Sequence, residues 1–135
     1  MVLVDTSVLV GFLRGDSSAK VGLLQEVLRR DVPFGISAYT YQEALQGARD
    51  EAEFETLASY LTTQRIYHLR PEVATYAKAA RMYFTLRRSG IIPRSTLDML
   101  IALTTIENDL ALLHDDRDFD VMAACMPELR ILDAL

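Results

Sequence analysis

Short, continuously apolar segments recur along the chain between longer stretches of helical pattern. The clearest are residues 2–4, 34–36 and 111–113, and two further candidates lie at residues 66–69 and 130–132. Runs of this length are too short for an amphipathic helix and are typical of strands buried on both faces. The pattern therefore predicts four to five short strands.

Helical patterns fill the intervals between these strands. The first follows residue 5, continues through Leu13 and ends at Gly15. A second begins behind the potential caps Ser17 and Ser18. Its apolar positions share one face at 3.6-residue spacing, and they are Val21, Leu24, Val27 and Leu28.

Two more helices are predicted in the second half of the chain. One runs from about residue 72 to residue 88, behind Pro71, a residue suited to the start of a helix, and stops at Gly90. The apolar stripe of this helix comprises Val73, Ala77, Ala80 and Phe84. The other spans residues 96–107. Strands that alternate with helices predict an α/β fold with a parallel sheet covered on both faces.

Length and composition fit one globular domain over residues 1–135, with half of the residues apolar and 24% charged. No apolar stretch reaches the roughly 18 residues that cross a bilayer, and the N-terminus lacks the features of a signal peptide. Cys125 is the single cysteine, which excludes an internal disulfide and a multi-cysteine zinc site. We expect a cytoplasmic protein.

Charge is distributed unevenly along the chain. The formal net charge of −5 argues against a protein that coats nucleic acid through bulk electrostatics. Residues 73–97 nevertheless contain no acidic residue, whereas four aspartates lie within residues 115–120. The basic side chains of the first segment are Lys78, Arg81, Arg87, Arg88 and Arg94. One region is therefore locally basic and another strongly acidic.

Several acids are predicted to lie at the carboxyl edge of the sheet, where this class of fold binds ligands. Asp5 ends the first strand, Asp115 and Asp116 follow the fourth, and Asp98 opens the helix before it. Glu43 follows the second strand by one short helical segment. Carboxylates that crowd together at neutral pH need a neutralising partner. A hard divalent cation with oxygen ligands, Mg²⁺ or Mn²⁺, meets this need.

Each acid also has a purely structural explanation. Glu43 stands three residues after Thr40, and Asp98 three after Ser95, so both match a helix capping box. Asp5 could bond the backbone of the next turn, and the acids at 115–120 suit the start of a helix. These roles leave the joint placement unexplained. Asp98 also leads directly into an apolar run, where an unpaired charge is expensive.

Four segments, in order and across the chain, resemble the motifs of the PIN domain, and within it the VapC-type toxins of bacterial and archaeal type II toxin–antitoxin pairs. The first is residues 2–9 with Asp5, and the second is residues 37–44 with Glu43. The third is residues 87–102 with Asp98, and the fourth is residues 112–119. In the fourth, Asp116 matches the family's acid. Asp115 departs from the family pattern, which commonly has Asn or another uncharged residue there.

The resemblance implies a three-layer PIN-like fold and an endoribonuclease that depends on Mg²⁺ or Mn²⁺. Asp5, Asp98 and Asp116 would hold one or two cations, with Glu43 completing the site. Additional candidates are Asp115, Asp118, and the hydroxyl residues Thr6 and Ser7, which are expected to support Asp5. For His114, a structural role at the strand end is favoured over proton transfer.

The same resemblance implies partners. The substrate would be transfer, ribosomal or messenger RNA. Arg87, Arg88 and Arg94 could grip its phosphates or simply form a solvated helix end. A small VapB-like antitoxin would cover the acidic cleft with its tail, and operator DNA would be bound only through that antitoxin. A homodimer is expected, and no membrane partner.

Three other functions remain open on sequence alone. A PIN-like module that binds RNA or protein without cutting it would retain the fold but not bind metal. A phosphatase with an aspartyl nucleophile would need a second aspartate two residues after Asp5, where Ser7 stands. A receiver domain would need a lysine near the fifth strand, and the lysines are Lys20 and Lys78.

Overall fold

A parallel five-stranded sheet lies at the centre of the computed structural model, which describes residues 1–135. The strands are β1 (Val2–Val4), β2 (Phe34–Ser37), β3 (Ile66–Tyr67), β4 (Ala111–Leu113) and β5 (Arg130–Ile131). The helices are α1 (Thr6–Arg14), α2 (Ala19–Arg29), α3 (Ala38–Gln46), α4 (Glu51–Leu61), α5 (Val73–Arg88), α6 (Thr96–Glu107) and α7 (Arg117–Cys125). The predicted α/β class is confirmed.

The strand order is β3-β2-β1-β4-β5 and every neighbouring pair is parallel. The chain builds outwards from β1 through β2 to β3, then returns to the other side of β1 to add β4 and β5. Val4 of β1 pairs with Leu113 of β4. The carboxyl ends of these two strands therefore form the point where the direction of sheet building reverses, which is where such sheets bind ligands.

Both faces of the sheet are covered. In β1, Leu3 packs into one apolar cluster together with Leu112 of β4. Its neighbours Val2 and Val4 pack into a second cluster with Leu113. Because successive side chains of a strand point to opposite faces, a strand buried on both sides must be apolar at every position. This explains the short continuous runs in the sequence.

The caps explain several helix boundaries. Asp5 caps α1, and Gly15 ends it with a positive φ of 77° that a residue without a Cβ adopts readily. Ser18 caps α2, as its position in the sequence predicts. Beyond α5, Gly90 has a φ of 83° and turns the chain towards α6. No helix, including the 16-residue α5, is long and apolar enough to cross a membrane.

The predicted apolar stripe of α5 faces solvent, which reverses our expectation. Val73 is 86% exposed and Phe84 is also exposed, while Thr75, Ala79 and Leu86 are buried. Small or apolar residues occur on both sides of this helix, so periodicity alone does not identify its buried face. Leu28 of α2 is likewise exposed.

Two boundaries in the middle of the chain differ from the prediction. β3 ends at Tyr67, two residues earlier than expected. Pro71 lies outside α5, because Glu72 is the residue that precedes its first turn. The predicted bounds of the helix at 96–107 match α6.

Candidate metal centre

Two aspartates follow the adjacent strands β1 and β4 and cap the helices that come next. Asp5 accepts a hydrogen bond from the backbone N–H of Ser7, and Asp116 accepts one from the backbone N–H of Asp118. Both carboxylates therefore do cap helices, as the structural explanation of the sequence proposed. Because β1 and β4 are neighbours, the same geometry brings the two acids to one edge of the sheet.

Three carboxylates converge at this edge. Oxygen atoms of Asp98, Asp116 and Asp118 all lie within 4.8 Å of one another, and each residue is partly buried. Asp98 is the third residue of α6, and Asp118 is the second residue of α7. Of the predicted acids, the structure thus brings together one from the third motif and two from the fourth.

The carboxylate of Asp98 has no hydrogen-bond donor from the protein. Ser95 caps α6 by accepting from the backbone N–H of Leu97 at 3.1 Å, but Asp98 returns no side-chain bond to Ser95. The reciprocal capping box predicted here is therefore absent. Burial, and then the negative charges of Asp116 and its acidic neighbours, raise the pKa of Asp98 to about 7. This side chain is available to face the site.

Asp5 is the most buried of the acids, with 5% of its surface exposed. The Ser7 hydroxyl donates to its Oδ2 at 2.5 Å, beside the 3.1 Å bond from the Ser7 backbone. Burial raises the pKa of Asp5, and the bonds from Ser7 lower it in part. The Ser7 oxygen also accepts from the backbone N–H of Asp115 at 3.0 Å. One hydroxyl therefore joins the first turn of α1 to the turn that follows β4.

Glu43 is held by a chain of hydroxyl groups that the sequence did not suggest. Thr6 donates to Glu43 Oε1 at 2.8 Å, and its oxygen lies 3.1 Å from that of Thr40. Thr40 in turn lies 3.3 Å from the Ser37 oxygen. A carboxylate only accepts, so the hydroxyl protons point along the chain towards Glu43.

These hydroxyl hydrogen bonds correct two predictions made from the sequence. Thr6 supports Glu43 through its hydroxyl, not Asp5. Ser37, not Thr40, caps α3, so Glu43 is not in a capping box. The sequence did offer a signal for the correct cap of α3, because Ser37 comes at the end of a strand and stands three residues before Thr40.

The side chains of the two adjacent aspartates of the fourth motif have different surroundings. Asp116 joins the cluster, whereas Asp115 is exposed and contributes only its backbone N–H to Ser7. His114 is 1% exposed, and its Nδ1 accepts from the backbone N–H of Asp116 at 3.1 Å. Its Nε2 lies 3.2 Å from Asp120 but out of line for a hydrogen bond. His114 thus shapes the turn that presents Asp116.

The three predicted arginines have different surroundings. Arg94 reaches the acids directly, with Nη2 3.0 Å from Asp116 Oδ1 and Nε 3.0 Å from Asp118 Oδ2. Arg87 stacks on Tyr83, and Arg88 stacks on Phe84 in the last turn of α5. Neither of these two forms an ion pair.

The donor set suits a hard cation. Every side chain of the cluster offers carboxylate oxygen, and Asp98 offers oxygens that no protein donor uses. Asp5 and Glu43 lie near enough to act on the charge of Asp98. Mg²⁺ and Mn²⁺ favour such ligands, while softer metals favour thiolate or imidazole. The arrangement can hold a divalent cation and, through it, a phosphate.

Asp98 makes the stability of the protein depend on pH. Its pKa is about 7 in the fold against an ordinary value of 3.8 for aspartate, so the folded state binds the proton more tightly. That stabilisation is complete below about pH 4 and is lost as the pH rises through 7. In EDTA, Asp98→Asn is expected to exceed wild type in stability by about 1–2 kcal/mol at pH 8, after allowance for solvent screening.

Urea unfolding of both proteins in EDTA at pH 4.5 and pH 8 measures this difference. The two free energies of unfolding should nearly agree at the lower pH and separate at the higher one. An equal difference at both values would show that the Asp98 carboxyl titrates normally.

Comparisons with known proteins identify the family and the fold. The family model of the PIN domain matches residues 2–124. The VapC ribonuclease Mb1587 of Mycobacterium bovis is 29% identical over 124 residues, which are 91% of this chain and 92% of that protein. The ribonuclease VapC11 of Mycobacterium tuberculosis matches to the same extent.

Solved structures show the same fold. The VapBC2 complex of Rickettsia felis, bound to a promoter DNA fragment, has a TM-score of 0.70 at 15% identity, covering 97% of each chain. VapBC-1 of nontypeable Haemophilus influenzae has a TM-score of 0.71 at 18% identity, covering 97% of this chain and 96% of that one. With its parallel sheet, its acidic edge and a family match over nearly its full length, the chain belongs to the PIN-domain family.

Proposed function

We propose that this chain is a ribonuclease toxin of a toxin–antitoxin pair, a Mg²⁺- or Mn²⁺-dependent endoribonuclease that hydrolyses phosphodiester bonds. One observation carries the proposal: three carboxylates converge within 4.8 Å, and one of them, Asp98, has no protein partner. The similarity to two curated VapC ribonucleases supports the choice of RNA as the substrate.

In this proposal Asp5, Asp98 and Asp116 hold the cation and Glu43 completes the catalytic site. Asp118 is an additional ligand, because its oxygens belong to the same cluster. A bound cation supplies Lewis-acid chemistry, which acidifies water and offsets charge on the phosphoryl oxygens. The chain contributes the positioning: Ser7 holds Asp5, and Thr6 holds Glu43. Asp115 acts only through its backbone.

The RNA is proposed to cross the end of α5 beside the acids. Arg87 and Arg88 are free of ion pairs, and their guanidinium groups rest on aromatic rings, which limits the freedom lost on binding phosphate. Tyr83 and Phe84 supply those rings. Unchanged RNA affinity after reversal of both charges would contradict this path. Transfer, ribosomal and messenger RNA all present the required phosphates.

A VapB-like antitoxin is proposed to lie in the groove between α1, α3 and α4. The groove has a volume of about 870 Å³, and Val10, Leu13 and Leu57 give it apolar walls. Glu43 lies at its lining, so a peptide in the groove reaches the acidic site. Structures similar to this chain include toxin–antitoxin complexes. A Leu13→Glu protein that binds its antitoxin normally would contradict this location.

The exposed apolar face of α5 is proposed as the surface of a homodimer. Val73, Tyr76 and Phe84 are exposed there. A monomeric mass at micromolar concentration would contradict the dimer.

The proposed function also treats residues 1–135 as a single PIN domain that acts in the cytoplasm, without membrane contact. In this proposal the chain meets operator DNA only through the antitoxin.

Cleavage of a total small-RNA pool tests the proposed function. Wild-type protein is expected to produce discrete fragments with Mg²⁺ or Mn²⁺ and none with EDTA, because the carboxylates alone repel the phosphate. Gel or sequencing readout identifies the RNA class that is cut. Cleavage that persists in EDTA would contradict the proposed mechanism.

Two alternative functions have their own signatures in this experiment. Folded protein that binds RNA but leaves the pool intact in metal would favour the non-cleaving module. A phosphatase would phosphorylate Asp5, yet this carboxylate is buried and bonded twice by Ser7. Nothing in the site favours that reaction.

A further inference from the structure

One basic side chain of this protein is inserted among its acids. Arg94 lies in the segment between α5 and α6, and its guanidinium donates to Asp116 Oδ1 and Asp118 Oδ2, both at 3.0 Å. Its backbone N–H also points to Asp118, at 3.4 Å. Among the five basic residues of the locally basic segment, only Arg94 forms an ion pair.

Arg94 uses oxygens that the proposed cation needs. Asp116 and Asp118 belong to the cluster of three carboxylates, and Arg94 forms ion pairs with these two while Asp98 stays unpaired. Asp116 Oδ1 also accepts the backbone N–H of Asp118, so two protein donors already occupy it. A guanidinium and a cation cannot both take the same lone pairs at full strength.

The ion pairs are open to solvent and therefore weak enough to exchange. The Arg94 side chain is 72% exposed, whereas the adjacent Pro93 is buried and anchors the backbone. Exposed ion pairs of this kind contribute little individually. The side chain can leave the acids while the segment that carries it stays in place.

We propose that Arg94 is an internal counter-ion of the acidic site, which holds Asp116 and Asp118 together until a divalent cation displaces it. The inference rests on the proposed function, because it requires that the cluster binds a cation. Displacement places a free guanidinium beside the site, where a phosphate of the substrate can take it. The competition correspondingly lowers the apparent affinity of the site for the cation.

The direction of the effect separates this role from a structural one. If Arg94 only braced the loop, its removal would loosen the acids and weaken cation binding. A competing counter-ion predicts the opposite. Arg94→Gln is expected to bind Mn²⁺ about three- to tenfold more tightly than wild type, because two exposed ion pairs no longer have to be broken. Arg94→Lys keeps the charge but not the paired donors of the guanidinium. Its Mn²⁺ affinity should lie between those of wild type and Arg94→Gln.

Calorimetric titration of the full chain with Mn²⁺, without RNA, measures these affinities. Arg117→Gln is the matched control, since it removes the same charge next to Asp116 and Arg117 forms no ion pair. It should stay within about twofold of wild type. Equal or weaker binding by Arg94→Gln, with normal binding by wild type, overturns the counter-ion alone. Absence of Mn²⁺ binding by wild type overturns the proposed metal site and the counter-ion with it.

Discussion

Asp98→Asn is expected to lower metal-dependent RNA cleavage by about 10³-fold or more, because a cation contributes several kcal/mol to the transition state and each 1.36 kcal/mol is a factor of ten. Asp98 is the carboxylate that faces the cluster without any protein donor. Asparagine keeps its shape and removes its charge. The variant should also lose Mn²⁺ binding in calorimetry while its fold is retained.

The adjacent aspartates of the turn after β4 provide a matched pair for the same assay. Asp116→Asn should approach the loss seen for Asp98→Asn, because Asp116 belongs to the cluster. Asp115→Asn should cleave within a few fold of wild type, because that side chain is exposed and makes no contact at the site. Full cleavage by a folded Asp98→Asn protein, or equal losses for the adjacent pair, would contradict the assigned site.

Ser7→Ala is expected to lower both Mn²⁺ affinity and the cleavage rate by about 10- to 100-fold, the usual cost of losing a group that orients a metal ligand. The Ser7 hydroxyl donates to Asp5 and accepts from the backbone of Asp115. Its removal frees the most buried carboxylate of the site and breaks the bond between the first turn of α1 and the turn after β4. The substitution leaves the capping bond from the Ser7 backbone intact, so the fold should persist.

The matched controls are another serine and a conservative replacement. Ser17 is exposed and makes no side-chain hydrogen bond, so Ser17→Ala should match wild type. Ser7→Thr retains a hydroxyl and should recover part of the activity. If Ser7→Ala binds Mn²⁺ and cleaves RNA within twofold of wild type, the hydroxyl does not position Asp5.

The layout of the elements was largely readable from the sequence. Residues 2–4 and 111–113 are apolar at every position because both faces of the sheet are covered, and this pattern identifies buried strands. The bounds of α6 followed from its cap Ser95. The exposed face of α5 did not follow, since apolar residues occur on both of its sides and only packing against α6 selects one.

The candidate site was predicted in part. Asp5 and Asp116 could be assigned to one edge because Asp5 directly follows β1 and Asp116 comes shortly after β4, and parallel strands share an edge. The support of Glu43 could not, because Thr6 and Glu43 are 37 residues apart and meet only through the packing of α1 on α3. Similarly, the ion pair between Arg94 and Asp116 could not be predicted, because the two residues are 22 positions apart in the sequence.

The sequence by itself determined the class of fold, the edge that carries the acids and the kind of cation that they favour. These properties depend on residue type and on order along the chain, which local physics translates directly into strands, caps and charge. Tertiary structure alone decided which aspartate of the adjacent pair enters the cluster, which hydroxyl supports which acid, and that Arg94 lies among the carboxylates. Those outcomes depend on side-chain directions across separate elements, and such directions exist only once the helices have packed on the sheet.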